Sequence, residues 1–302
     1  MRRASDLPVY LAMRAALAAV RRLPRPAALT AGASLGALAR AAGLRRGVTD
    51  GNLATAFPEL APAERDRIAR AMYRHLGRMA VDSLRLSASG PPALVPFVTG
   101  AGTAETIDLV HSCLARGRGC LILTGHIGNW ELAGAYLASQ GVRLAAVVKP
   151  PSNPWVARQA ESVRVRLGIE TVPLPEARVK VPRLLRSQRA VALVADQGAM
   201  RSNVWSPFFG QPTQTPVGPG LFVAESEASV IFGGLVAEAG GAYRLVGEEM
   251  EVDRTGELSQ VIRRVADAYR ARLEALVRRL PEQYLWSHRL WKRRPPPSPV
   301  TP

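Results

Sequence analysis

One of the four histidines in this 302-residue chain, His126, stands where an apolar run breaks, in LILTGHIGNWELAG (residues 121–134). Leu121–Thr124 reads as a buried strand that Gly125 ends, and a helix is expected from Asn129 onward. His126 then lies in the loop beyond a strand's carboxyl end, the edge at which open α/β sheets bind ligands. Glu131 follows five residues later, in the first helical turn, where the macrodipole favours a carboxylate. Folded back on the imidazole, that carboxylate would fix one ring nitrogen as N–H. It would also stabilise the imidazolium formed when the other nitrogen takes a proton. Such a pair is a base for activating a hydroxyl. The one GxSxG pattern, GASLG at residues 32–36, falls inside an expected helix and not at the strand-to-helix turn of a nucleophile elbow, so the hydroxyl is expected on the substrate and not on an internal serine. The helix N-terminus offers backbone N–H groups to an oxyanion or phosphate, and Gly128 admits a close backbone approach. Spacing alone leaves a plainer alternative open: a loop histidine beside a helix-capping glutamate.

The elements that must position these groups follow from the pattern around them. From about residue 100, short apolar runs alternate with helical stretches. Strands are expected at Cys120–Thr124, Leu144–Val148, Glu170–Leu174, Val191–Ala195, Ser229–Val236 and Tyr243–Glu248. Helices are expected at 104–116, 129–139, 154–167, 178–188, 217–227 and 257–279. This alternation predicts an α/β fold, a mostly parallel central sheet flanked by helices. EAGGA joins the last two strands as an edge hairpin. The first ninety residues read as helical. Pro8 opens one helix and Pro24 and Pro26 end it, a second runs from Ala27 to Ala42, and residues 62–86 carry the strongest helical stripe, with Ile68, Met72, Leu76 and Met79. His75 lies beside that stripe and reads as structural. The expected organisation is a helical, membrane-associating region (1–95), an α/β domain (96–294) and a Pro-rich disordered tail (295–302).

Composition narrows the partners. The net charge is +16, and of the 40 basic residues only Lys149, Lys180 and Lys292 are lysines. Such a surface favours nucleic acid, anionic lipid or an acidic carrier protein. Cys113 and Cys120 provide neither a disulfide framework nor a zinc cluster. Residues 9–20 resemble a signal-peptide core but carry Arg14 in the middle and no cleavage site, and they are too short to span a bilayer. On a helix, Arg14 and Arg21 share one face, with Val9, Ala12, Ala16 and Leu23 near the other. That suits a helix lying on a membrane surface, and an ordinary packed helix fits equally well. Nine arginines against Asp6 and Asp50 in the first fifty residues lean toward an anionic membrane.

HIGNWE resembles the H-x4-D/E motif of the lysophospholipid acyltransferase superfamily, and in particular the late acyltransferases of lipid A biosynthesis. VKPPSNP (148–154), ADQGAMRSNVWSPFFGQPTQTPVGP (195–219) and PEQYLWSHRLWKRRP (281–295) resemble three further blocks of that family, with Lys149 where an arginine is usual. The resemblance implies transfer of an acyl chain from an acyl carrier protein or coenzyme A thioester to a glycolipid hydroxyl. His126 would be the general base and Glu131 its orienting partner, with no metal or resident cofactor. It also places Asn129, Lys149, Arg164, Asp196 and Arg201 among the substrate-binding residues. Arg164 would hold a glycolipid phosphate or the thioester end, and Asp196 would pair with Arg164 or position a substrate. Trp205, Phe208 and Phe209 would wall the acyl site, meet a membrane or pack in the core. Tyr284, Trp286 and Trp291, interleaved with cations, suit a membrane interface, and His288 reads as structural. The C-terminal block leans toward a lipid A precursor as acceptor. The expected location is the cytoplasmic face of the cytoplasmic membrane, held peripherally or as a monotopic protein.

Two readings of other classes remain beside this one. A catalytically silent lipid-binding homologue would keep the fold, though the intact His126–Glu131 pair argues against it. A nucleic-acid-binding protein is suggested by charge alone, with no helix-turn-helix, ribonucleoprotein or zinc signature to support it. Within the acyltransferases, a phosphatidylinositol mannoside is the alternative acceptor.

Overall fold

A computed structural model describes residues 6–198, 202–293 and 295. The chain opens with four helices, α1 (Asp6–Arg22), α2 (Arg25–Ala41), α3 (Arg46–Ala56) and α4 (Pro62–Ser89), and continues through α5 (Thr103–Ala115) into the first strand, β1 (Cys120–Thr124). Then come α6 (Trp130–Ser139), β2 (Leu144–Val148), α7 (Pro154–Arg166), β3 (Glu170–Pro173), α8 (Ala177–Arg186) and β4 (Ala190–Val194). A hairpin of β5 (Asn203–Phe208) and β6 (Gln211–Pro216) precedes α9 (Gly218–Ala224), β7 (Ser229–Ala237), β8 (Tyr243–Glu249) and α10 (Leu258–Arg279). The six expected strands are all present, and each begins and ends within one residue of its expected bounds. The α3 helix and the β5–β6 hairpin were not anticipated.

The main sheet has the order β3-β2-β4-β1-β7-β8, parallel except for β8, which runs antiparallel to β7 at the edge. Strand β1 is central and buried along its whole length, as expected of a parallel strand covered on both faces. Its side chains alternate between two cores. Leu121 and Leu123 join Val191, Phe232, Val181, Leu185, Tyr269 and Leu273 on the face covered by α8 and α10. Cys120 and Ile122 join Val110, Leu132, Tyr136, Ile231 and Leu245 on the face covered by α5 and α6. Cys113 and Cys120 are both free and buried.

The N-terminal helices pack on this body through glycine. A Cβ added at Gly77 of α4 would sit 2.0 Å from the Gly32 carbonyl oxygen of α2, and one at Gly36 would sit 1.9 Å from the Tyr73 carbonyl oxygen. The two helices therefore touch backbone to backbone, and nothing larger than glycine fits the seam. Gly77→Val is expected to destabilise the fold by about 1–3 kcal/mol or more, the cost of overpacking a closed contact. Gly51→Ala, on an exposed turn of α3 with nothing within 4 Å, is expected to stabilise it by roughly 0.5–1 kcal/mol. Denaturant unfolding of both variants checks the pair, and equal midpoints would refute the seam. Among the described residues no single helix is long and apolar enough to cross a membrane; α2 and α3 together pass that test but meet at a 91° bend.

Candidate active site

The parallel pairing of β1 with β4 places the site. Their register sets Thr124 opposite Val194, and the Ala195 N–H donates to the Thr124 carbonyl at 2.9 Å. Two residues beyond each strand end, His126 and Asp196 come side by side. Asp196 is 2% exposed. Its Oδ1 lies 2.7 Å from His126 Nδ1, and its Oδ2 accepts the His126 backbone N–H at 3.1 Å. The carboxylate thus fixes both the ring and the chain that carries it, leaving Nε2 as the nitrogen available to a substrate. Gln197 Nε2 is 3.3 Å from the same Nδ1. Trp130 meets the imidazole edge-on at 4.9 Å between ring centroids.

Burial works against a charge on His126, but the Asp196 carboxylate, its hydrogen bond and the more distant Glu131 charge together hold the imidazole above its ordinary pKa. Burial likewise works against ionised Asp196. The His126 charge, hydrogen bonds from His126 and the nearby Arg270 guanidinium overcome it and hold the carboxyl below the usual carboxylate range.

Glu131 is not the ring's hydrogen-bond partner. Its side chain is half-exposed, and its Oε2 lies 3.7 Å from Arg164 Nη2. Facing outward from the first turn of α6, it reaches the α7 arginine, while Asp196 already occupies the Nδ1 side of the imidazole. The expected Asp196–Arg164 pair is therefore replaced by two others, Asp196 with His126 and Glu131 with Arg164.

Asn129 also departs from expectation. It is fully buried. Its Oδ1 caps α6 by accepting the Leu132 N–H at 3.2 Å and accepts from Ser83 Oγ at 2.9 Å, and its Nδ2 donates to the Tyr243 hydroxyl at 3.3 Å. Buried in these bonds, the amide serves the helix start and the packing of α4 and β8. The Tyr243 hydroxyl donates in turn to Asp82 at 2.8 Å, and Arg25 forks onto both Asp82 oxygens at 2.9 and 2.5 Å. A buried polar chain therefore runs from the first residue of α2 to the cap beside His126. Lys149 is exposed just past β2. Arg201 lies outside the described residues.

The loop carrying His126 is held from several sides. A Cβ at Gly128 (φ +61°) would lie 2.1 Å from the Leu235 carbonyl oxygen, so this glycine admits the β7 backbone, not a ligand. The Gly128 N–H donates to the Gln283 carbonyl at 3.1 Å and the Leu285 N–H to the His126 carbonyl at 3.0 Å. His75 Nε2 is 3.1 Å from the Gly128 carbonyl oxygen. Burial pushes the pKa of His75 down to about 4, so a neutral ring donates there. The C-terminal block is thus a strap across this loop. Tyr284 and Trp286 are fully buried, which removes them from any membrane interface. Phe208 and Phe209 are core residues as well, each packed edge-on against a neighbouring ring.

Sequence reasoning missed Arg270. This fully buried arginine of α10 donates to the Asp196 carbonyl oxygen at 2.8 Å, the Gln214 carbonyl at 3.0 Å and Thr215 Oγ1 at 2.8 Å. It ties the Asp196 turn to the β5–β6 hairpin. Its only sequence signal was a cation on the apolar stripe of an amphipathic helix.

A cleft of about 670 Å³ opens on the sheet face that carries α5 and α6, with Trp130, which packs against the imidazole, in its lining. Ile122, Ala146, Val148, Ala192 and Ile231 give it an apolar floor, and Gly233 and Gly234 also line it. Trp130, Glu131 and Arg164 stand on its wall. The size is that of a small-molecule site.

A mostly parallel α/β sheet with a carboxylate-held histidine at its edge and an apolar cleft close by is the arrangement that this fold and site define. The sequence profile described as bacterial lipid A biosynthesis acyltransferase matches residues 2–293, and the chain belongs to that family of acyltransferases. A lipid A biosynthesis palmitoleoyltransferase of Escherichia coli (strain K12) is 27% identical over 279 residues, 90% of this chain and 87% of its own. A phosphatidylinositol mannoside acyltransferase of Mycobacterium tuberculosis (strain ATCC 25618 / H37Rv) is 32% identical over 130 residues, 41% of either chain. Its counterpart in Mycolicibacterium smegmatis (strain ATCC 700084 / mc(2)155) is 28% identical over 176 residues, 56% of this chain and 57% of its own. The chain thus spans about two to three fifths of the length of these mannoside acyltransferases.

Proposed function

We propose that this protein transfers a fatty acyl chain from an acyl carrier protein or coenzyme A thioester to a hydroxyl of a lipid A precursor. The observation that carries the reading is the His126–Asp196 pair at the sheet edge beside the apolar cleft. The acyl chain lies along the floor of that cleft, with its thioester carbonyl near Trp130. His126 Nε2 takes the proton of the acceptor hydroxyl as its oxygen bonds to the thioester carbonyl carbon. Asp196 holds the Nδ1–H and stabilises the imidazolium. Collapse of the tetrahedral intermediate breaks the carbon–sulfur bond, and the departing sulfur takes the proton back from Nε2. Glu131 contributes its charge to the imidazolium and steadies Arg164, which faces the cleft where the polar end of a substrate would lie. Lys149, exposed just past β2, adds positive charge toward the same substrates.

The family profile and the relative matched over most of its length support lipid A as acceptor. The higher local identity to mannoside acyltransferases favours a second reading, with a phosphatidylinositol mannoside accepting the chain. We place the protein peripherally on the cytoplasmic face of the cytoplasmic membrane. Leu35, Leu38 and Leu44 are each more than half exposed near Arg45 and Arg46, an apolar patch with cations beside it that suits an anionic interface.

Mass spectrometry of total glycolipid from a deletion strain and its complemented partner tests the function. One acyl chain missing from a lipid A species is the expected result. A chain missing from a mannoside would move the acceptor, and an unchanged glycolipid profile would defeat the reading.

A further inference from the structure

Arg14 and Arg21 lie seven residues apart on α1 and so share a face. As a surface helix alone, that face would turn toward lipid headgroups. In the folded protein both side chains line the same cleft as Arg164 and Arg166 of α7. Among the described residues the one other charged group in the cleft lining is Glu131, 3.7 Å from Arg164. Four guanidinium groups and one carboxylate, around a hollow lined mainly by apolar side chains with Ser83, Thr106, Thr124 and Gln159 among them, make an amphipathic receptor: a floor for a chain and a rim for an anion. Low-dielectric walls of one charge sign focus their field into the opening and concentrate anionic ligands there. The position of Arg164 and Arg166 in the last turn of α7 has a local cause, since cations are stabilised at a helix C-terminus. Leu7 and Leu11 continue the stripe of Arg14 and Arg21 and are exposed, so α1 presents first an apolar and then a cationic stretch.

We propose that α1 is a wall of the substrate site: Arg14 and Arg21, with Arg164 and Arg166, bind the phosphate of a phosphate-bearing substrate whose chain occupies the apolar floor. The inference rests on reading the cleft as the acyl site. Guanidinium forks suit phosphate oxygens, to which they donate paired hydrogen bonds. Two substrates of the proposed reaction can carry such a group, the donor in its pantetheine-phosphate arm and the acceptor in its glycolipid headgroup.

The test uses the full chain in detergent, with the double variant Arg14→Ala/Arg21→Ala. A double variant of equal charge at exposed positions away from the cleft, Arg118→Ala/Arg186→Ala, is the control. Coenzyme A binding is followed by calorimetry without lipid, and KM is measured separately for an acyl-coenzyme A donor and a phosphorylated glycolipid acceptor. Loss of paired phosphate contacts is expected to raise one KM by about tenfold or more, with kcat nearly unchanged and the control unaffected. A rise for the donor, matched by weaker coenzyme A binding, identifies the donor's phosphate. A rise for the acceptor alone identifies the headgroup. Unchanged KM for both, with reduced sedimentation on anionic vesicles, would overturn the proposal and leave α1 a membrane contact only. The two readings fail separately. A wild-type protein without transfer defeats the acyltransferase reading, whereas the calorimetric comparison still reports on the arginines.

Discussion

Replacing His126 with alanine is expected to lower acyl transfer by about two to four orders of magnitude, the usual contribution of a positioned general base. The ring holds no part of the core. Its side chain is 22% exposed, and the loop beneath it is fixed by backbone bonds to Gln283, Leu285 and Leu235 that alanine keeps. Circular dichroism and thermal unfolding should therefore remain near wild type while turnover of purified donor and acceptor collapses. Near-normal turnover in the variant would end the catalytic reading. A fall in turnover with an equal fall in folded protein would reduce His126 to a structural residue.

Asp196→Asn should come second in size and exceed Glu131→Gln. The carboxylate accepts two donors, the His126 backbone N–H and the ring at Nδ1. An amide of the same shape offers one acceptor oxygen, so one of those bonds must be given up and the ring loses its tautomer or its place. A loss of about two orders of magnitude or more is expected by analogy with histidine–aspartate pairs in which the partner was neutralised. The pH profile separates this from simple damage. Because Asp196 raises the pKa of His126, the wild-type rate should climb with pH through a midpoint above the ordinary histidine value as the ring sheds its proton. Removing the negative charge lowers that pKa, so the acidic limb moves to lower pH even as the plateau falls. An unmoved limb would show that Asp196 does not face the titrating group. Glu131→Gln removes only a distant charge and a long ion pair, and should shift the limb in the same direction by less.

The histidine was legible in the sequence because its signal is local: an apolar run, a glycine, an imidazole and a helix start within a dozen residues. Its partner was not. Asp196 could be placed on the same sheet edge, but its distance from His126 depends on β4 lying directly beside β1, which no stretch of sequence encodes by itself. Glu131, close in sequence, therefore looked the better partner. The β5–β6 hairpin escaped for a different reason. Phe208 pairs with Gln211, so the turn is Phe209–Gly210, and both residues have positive φ, 52° and 69°. Such a turn usually carries Asn or Asp at its first central position. Phe209 tolerates it because its ring is buried between Phe57 and Trp286. Asn129 and the C-terminal aromatics show the same limit from the other side. Polar and aromatic residue types suggested a ligand and an interface, whereas burial made one a helix cap and the others a strap.

The chain of contacts from Arg25 through Asp82 and Tyr243 to Asn129 also bears on how such proteins could be recombined. Its members come from α2, α4, the edge strand and the loop after β1, and each bond satisfies a buried group that would otherwise be left unpaired at a cost of about 1–3 kcal/mol. A chimera joined near residue 95 would take Arg25, Asp82 and Ser83 from one parent and Asn129 and Tyr243 from the other. Parents that differ at any of these positions would yield hybrids with a mispaired polar group beside the helix that follows His126. Successful crossovers should therefore inherit all five residues as one haplotype, although nearly 220 positions of sequence separate the first from the last.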